Sequence, residues 1–178
     1  FPTTPVIGGL EKPEEKDIWK FIRARVLPDD VTEEEIFIIL GTFHIKGKAK
    51  WVEGKYDSAL EFDSKSDYVE IPFSDILNIT KDITIEVWVK PTKDYVNEPN
   101  AWYYFVFKRG YVWELGWQGW GDSITLKMIP AGQAAVATDW KMSLNEGEWY
   151  HIAGVKKGSF LGIYVNGEKR SSIDSFPG

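Results

Sequence analysis

The sequence predicts an all-β protein, a two-layer antiparallel sandwich or a barrel, on three observations. Short runs alternate apolar and polar residues with period two, which places successive side chains on opposite faces of a strand. Gly, Pro, Asp and Asn separate these runs, with 16 Gly and 9 Pro spread along the chain as turn punctuation. No segment offers the helices that crossovers between parallel strands require, so a parallel α/β sheet is excluded. The lack of a fixed-period repeat argues against a propeller or solenoid.

The 178 residues, 43% of them hydrophobic, suffice for one well-filled core and are short for two, so residues 1–178 are read as a single domain. Residues 1–16 are punctuated by Pro and Gly around "VIGG". Residues 18–27, "IWKFIRARVL", read as a strand. The following "PDDVTEEEI" predicts one short helical turn near residues 30–36, with Asp30 or Thr32 as its cap and Glu33 to Glu35 at its positive end. Residues 37–45 are apolar and predict a buried strand. Further short strands are expected at 59–62, 68–71, 83–90, 102–108, 111–117, 123–129 and 135–138. The clearest is "DITIEVWVKP", with Ile83, Ile85, Val87 and Val89 inward and Thr84, Glu86, Trp88 and Lys90 outward. The chain closes on the meander "EWYHIAGVKKGSFLGIYVNGEK". There Trp149, His151, Ala153 and Val155 share one face, and Tyr150, Ile152 and Lys156 the other. Asn166-Gly167 supplies the positive φ that a tight type I′ hairpin requires.

Composition narrows the function classes. A net charge of −6 argues against nucleic acid or an anionic membrane as the main partner. No run approaches the ~20 apolar residues of a membrane span, so no membrane insertion is expected. Without cysteine, disulfides, thiolate catalysis and Cys-based zinc sites are excluded. Few Asn and Gln, abundant Lys and Glu and no Cys look like a thermophile's chain. The chain starts at Phe1 rather than Met, with no signal peptide, and is expected to be a processed or excised piece of something longer.

Three segments carry a family resemblance. "GKYDSALEFDSKSDYVEIP" at 54–72, "LNITKDITIEVWVKP" at 77–91 and the closing meander resemble, in order, hallmark segments of the concanavalin A-like, laminin G-like jelly-roll domains. The resemblance implies a two-sheet antiparallel β-sandwich of a kind found in extracellular adhesion proteins, lectins and carbohydrate-binding modules. The order departs from the family pattern. "VIGG" (6–9), "ARVLPD" (24–29) and "VTEEEI" (31–36) resemble the family's C-terminal ending but stand at the start, while 37–178 resembles the rest. A circular permutation with adjacent termini is one explanation. A cut through a tandem array is the other, and that case makes swapped dimers or an array neighbour expected.

The resemblance implies extracellular or virion-surface recognition of a glycan or a surface protein, without catalysis. A structural module of a surface or virion protein, or an ancillary domain of a carbohydrate-active enzyme, remains the alternative. Glycosidases of this architecture carry paired acids on one strand, and retaining hydrolysis needs carboxyls about 5 Å apart. Glu61-Phe62-Asp63 is the nearest pattern, and its next acid, Asp67, falls out of phase; Glu114 has no partner until Asp122. His151 matches a packed position of the family's "WYH" strand, and "GWQGWGD" lacks the Lys-Ser/Thr of a phosphate loop. No cofactor is required; Ca²⁺ is the possible one, with Asp63 and Asp67 as the metal candidates that the resemblance implies. The position of a further family acid holds Ile22, so solvated turn caps are the competing role. Aromatic residues make up 15% of the chain, including nine Trp, and they cluster between 101 and 120. Sugar rings stack on exposed aromatic faces. Trp117 and Trp120 flank glycines and Trp102 follows "NEPNA", so all three are expected in or beside loops. With Tyr104 and Trp140 they form the candidate ligand-binding set, against a competing role in capping the core.

Overall fold

The computed structural model describes residues 44–56, 58–63, 66–73, 79, 82–92, 102–108, 113–118, 122–129 and 134–176. Alternation becomes twelve strands there: β1 (His44–Lys46), β2 (Lys50–Glu53), β3 (Ser58–Glu61), β4 (Tyr68–Glu70), β5 (Ile83–Val89), β6 (Trp102–Phe107), β7 (Trp113–Gln118), β8 (Ser123–Met128), β9 (Val136–Lys141), β10 (Tyr150–Lys157), β11 (Phe160–Val165) and β12 (Glu168–Ile173). Every pairing is antiparallel. One four-stranded sheet runs β12-β11-β10-β5 and the other β6-β7-β8-β9, with the small sheets β1-β4 and β2-β3 beside them. No helix occurs among the described residues.

The two large sheets stack through their apolar faces. Ile83 and Ile85 of β5, Ile152 of β10 and Leu161, Ile163 and Val165 of β11 meet Trp113, Leu115 and Trp117 of β7 and Ile124, Leu126 and Met128 of β8 in one core cluster. The layers approach so closely at Gly154 that a Cβ there would lie 2.7 Å from Leu126 Cδ1. Thr138 and Ser171 hydroxyls join β9 to β12 at 2.7 Å. Each fully buried aliphatic side chain contributes roughly 1.5–3 kcal/mol. Exposed ion pairs such as Lys46–Glu70 at 3.6 Å and Arg170–Glu168 at 2.7 Å contribute under about 1 kcal/mol. Apolar stacking therefore holds the sandwich.

The inward and outward sets expected for 83–90 and for the closing meander are observed. Asn166 at φ 51° and Gly167 at φ 82° form the tight turn between β11 and β12. β2, "KWVE", was not among the expected strands, and β9 runs to Lys141 rather than stopping at 138. Residue 44, the first described of the expected buried strand 37–45, is exposed. The helical turn near 30–36, the strand at 18–27 and the family-like ending within 1–36 lie outside the described residues.

Candidate functional site

The outer face of the β6–β9 sheet departs most from a plain solvated surface. β6 is an edge strand of this sheet, and its register against β7 shifts between Tyr104 and Val106. Phe105 is the extra residue, and both Phe105 and Val106 pack against the core. A bulge of this kind changes which residues face outward. Trp102 pairs with Gln118, Tyr104 with Gly116 and Phe107 with Glu114, so the three rings share the outer face. They form a ladder along the strand. Trp102 and Tyr104 centroids are 5.8 Å apart and tilted by 43°; Tyr104 and Phe107 are 5.0 Å apart and tilted by 42°. Tyr104 is 44% and Phe107 51% exposed.

Gly116 makes room for this arrangement. A Cβ there would lie 2.5 Å from the Tyr103 carbonyl oxygen and 3.3 Å from Trp102 Nε1, so any side chain would push β6 and the indole away. A polar row runs beside the ladder. Glu114, the one buried carboxylate among the described residues, accepts a hydrogen bond from Lys127 Nζ at 2.9 Å through Oε1. Glu114 Oε2, Thr125 Oγ1 and Trp102 Nε1 on this face, and Trp113 Nε1 on the core face, are buried with no hydrogen-bond partner among the described residues. Unpaired buried polar atoms cost about 1–3 kcal/mol each, so three on one face of one sheet mark a departure from pure stability. Burial also lowers the Lys108 ammonium, just past β6, from the ordinary lysine value.

The expected ligand-binding residues divide. Trp102 and Tyr104 meet on the ladder, with Trp102 opening β6 as the expected strand 102–108 has it. Trp117 overturns its expected role as an exposed platform. It sits in β7, fully buried, stacked on Tyr103 at 5.8 Å, with Nε1 donating to the Met142 carbonyl at 3.2 Å. Such an indole presents no face to a ligand. Trp140 lies in β9, 38% exposed, paired with the core residue Ile124 and apart from the ladder. Trp120 lies outside the described residues. Thr125 and Lys127 were not singled out from the sequence, Glu114 entered only as an acid without a catalytic partner, and Phe107 only as one of the aromatic cluster at 101–120.

Asp63 and Asp67 are brought together as a turn staple. Asp67 accepts the Lys48 backbone N–H at 2.6 Å through Oδ1 and that of Asp63 at 3.0 Å through Oδ2, while Asp63 Oδ1 accepts from Ser66 N at 3.0 Å. Ca²⁺ takes roughly six to eight oxygens. These two carboxylates already serve backbone amides, and no group of three or more His, Cys, Asp or Glu converges among the described residues. The described residues do not fit a calcium cage. His44 is exposed, while His151 packs at 5.1 Å from Trp88 on the opposite sheet.

Residues 63–178 match the family model described as the concanavalin A-like lectin/glucanases superfamily. Among solved structures, the chain is similar to the receptor-binding domain of botulinum neurotoxin mosaic serotype C/D (16% identity, TM-score 0.61, covering 74% of this chain and 33% of that one). It is also similar to the binding domain of Paraclostridial Mosquitocidal Protein 1 (14% identity, TM-score 0.62, 76% and 35%). A third is domain 4 of AbnA, a GH43 extracellular arabinanase from Geobacillus stearothermophilus, in complex with arabinotriose (19% identity, TM-score 0.54, 76% and 66%). The chain spans about a third of the length of the two toxin binding structures. No curated protein matches the sequence.

Proposed function

The chain belongs to the concanavalin A-like lectin/glucanases superfamily, and on that premise we propose that it is a non-catalytic module that binds glycan at an extracellular or cell surface. The Trp102–Tyr104–Phe107 ladder carries this reading, because half-exposed rings in a row suit the C–H faces of successive sugar residues. Lys127, partly exposed and fixed by its pair with the buried Glu114, offers a donor for hydroxyls beside the stack. Domain 4 of the arabinanase, a relative in fold, was solved with a bound oligosaccharide.

The absence of catalysis rests on strand chemistry. Residues two and four along from Glu114 on the same face of β7 are Gly116 and Gln118, neither of them an acid. A retaining pair about 5 Å apart is therefore not built on that strand.

Glycan-array screening followed by calorimetry tests the reading. Tyr104→Ala and Phe107→Ala should each weaken binding of the selected oligosaccharide by about tenfold, the loss expected for removing one stacked ring worth ~1–1.5 kcal/mol. Their melting temperatures should stay near wild type. Undiminished binding by both variants would refute the ladder. The second reading, a structural interaction module, draws on exposed rings at Tyr56, Tyr68 and Phe73, 62%, 51% and 76% exposed. Silence across the array together with self-association in solution would favour it.

A further inference from the structure

The opposite sheet carries a separate concavity. Outward alternation puts Trp88 on β5, Lys90 just past its end and His151 on β10, with Trp88 directly paired to His151. The β11–β12 turn holds Asn166 against the same spot: its Oδ1 accepts from His151 N at 2.9 Å, and its own N–H donates to the His151 carbonyl at 2.8 Å. From the β2–β3 connection Lys55 reaches over Trp88, 5.6 Å from its ring centroid, while Tyr56 meets that indole edge-on at 5.6 Å. Lys90 lies over Trp149 at 5.2 Å. Lys55, Trp88, Trp149, His151 and Asn166 line a shallow, open concavity of about 410 Å³, within the size range of small-molecule sites.

The charge distribution decides what it suits. Lys46, Lys127 and Lys156 each have an acidic partner, at 3.6, 2.9 and 3.9 Å. Lys55 and Lys90 have none among the described residues, and the nearby Glu86 faces His151 at 3.6 Å. Two uncompensated ammoniums on adjoining indoles, in a chain of net charge −6, form a local positive spot. Contact with the indole faces holds each ammonium near the concavity before any ligand arrives.

We propose that this concavity is a second binding site, for a sugar ring bearing one negative charge. The ring's carboxylate or sulfate meets the Lys55 ammonium in the wall and Lys90 beside it, and a hydroxyl reaches the Asn166 amide. The site is independent of the β6 ladder and stands if the ladder reading fails.

The test follows the Trp88 and Trp149 indole N–H signals of the ¹⁵N-labelled chain, assigned through Trp88→Phe and Trp149→Phe, with glucuronate, glucose 6-sulfate and glucose as probes. The expected result is saturable movement of both signals with the anionic probes and none with glucose, weakened by added salt. Lys55→Gln/Lys90→Gln should reduce the affinity about tenfold, as expected for lost charge-assisted contacts. Tyr104→Ala should leave the affinity unchanged. Response to one anionic probe only identifies carboxylate or sulfate as the recognised group and supports the site. No response, equal response to glucose, full affinity in the double variant, or loss in Tyr104→Ala would each overturn it.

Discussion

The two large sheets share one core but obey their local rules to different degrees. β5, β10 and β11 pair in unbroken register, seven residues deep between β5 and β10, and only the edge strand β12 shifts, against β11 between Ile163 and Tyr164. The facing sheet has a register shift in its edge strand, three unpartnered polar atoms toward its outer face and two half-exposed rings. The inward faces differ less, the one unpartnered polar atom of the described core residues being Trp113 Nε1 of β7. Such exceptions on one outer face are what the proposed glycan-binding role would leave there.

The sharpest way to break this contrast is to exchange the roles of two aromatic residues one strand apart. Trp117→Ala empties a fully buried indole site and should cost about 3–5 kcal/mol, a fall in melting temperature of order 10 °C. Tyr104→Ala should cost under ~1 kcal/mol. Equal losses in a thermal melt would erase the distinction between core and platform.

Next in size is the Glu114–Lys127 pair. Lys127→Met strips the counter-charge from a buried carboxylate and should cost about 2–3 kcal/mol, less than a fully buried pair because the lysine is partly exposed. Adding Glu114→Leu should restore most of the loss. A double variant as unstable as the single one, measured by urea unfolding, would show that Lys127 matters for packing rather than charge.

Gly154→Ala probes the layer spacing. The new methyl meets Leu126 and should cost about 1–3 kcal/mol, relieved when Leu126→Ala is combined with it. An unaffected melting temperature would mean that the sheets separate more easily than their packing implies.

The smallest effect concerns the regular sheet. The Tyr150 hydroxyl accepts from Asn145 N at 2.9 Å and donates to Glu148 at 2.8 Å, and burial raises its pKa above the ordinary tyrosine value. The folded chain therefore keeps a proton that the unfolded chain releases above about pH 10. Its contribution is present below that pH and lost as pH rises through the raised value. Tyr150→Phe should cost about 1–2 kcal/mol at neutral pH and show a smaller alkaline decline in stability than wild type. Parallel alkaline profiles would assign that decline to other groups.

Most of the sandwich was legible because alternation reports burial directly, as Ile83, Ile85, Leu161 and Ile163 show. The site was less so. Trp113, Leu115 and Trp117 continue one alternating face, and Gly116 interrupted that reading by looking like a turn. The glycine is there because β6 crowds it, and a close approach leaves the same mark in a sequence as a bend. Phe107 faces outward only because Phe105 is an extra residue, and nothing in "YYFVF" signals a bulge. The positive concavity was hidden for another reason. Trp88 and His151 read as outward, but Lys55 and Tyr56 reach them from a hairpin whose first strand, "KWVE", is too short to declare itself.

The tilts along β6 bear on which polymers could lie there. No two successive ring planes in the ladder are parallel, each being turned some 40° from the next. A flat ribbon such as a cellulose-like chain could press squarely on one plane at a time and would lift off the others.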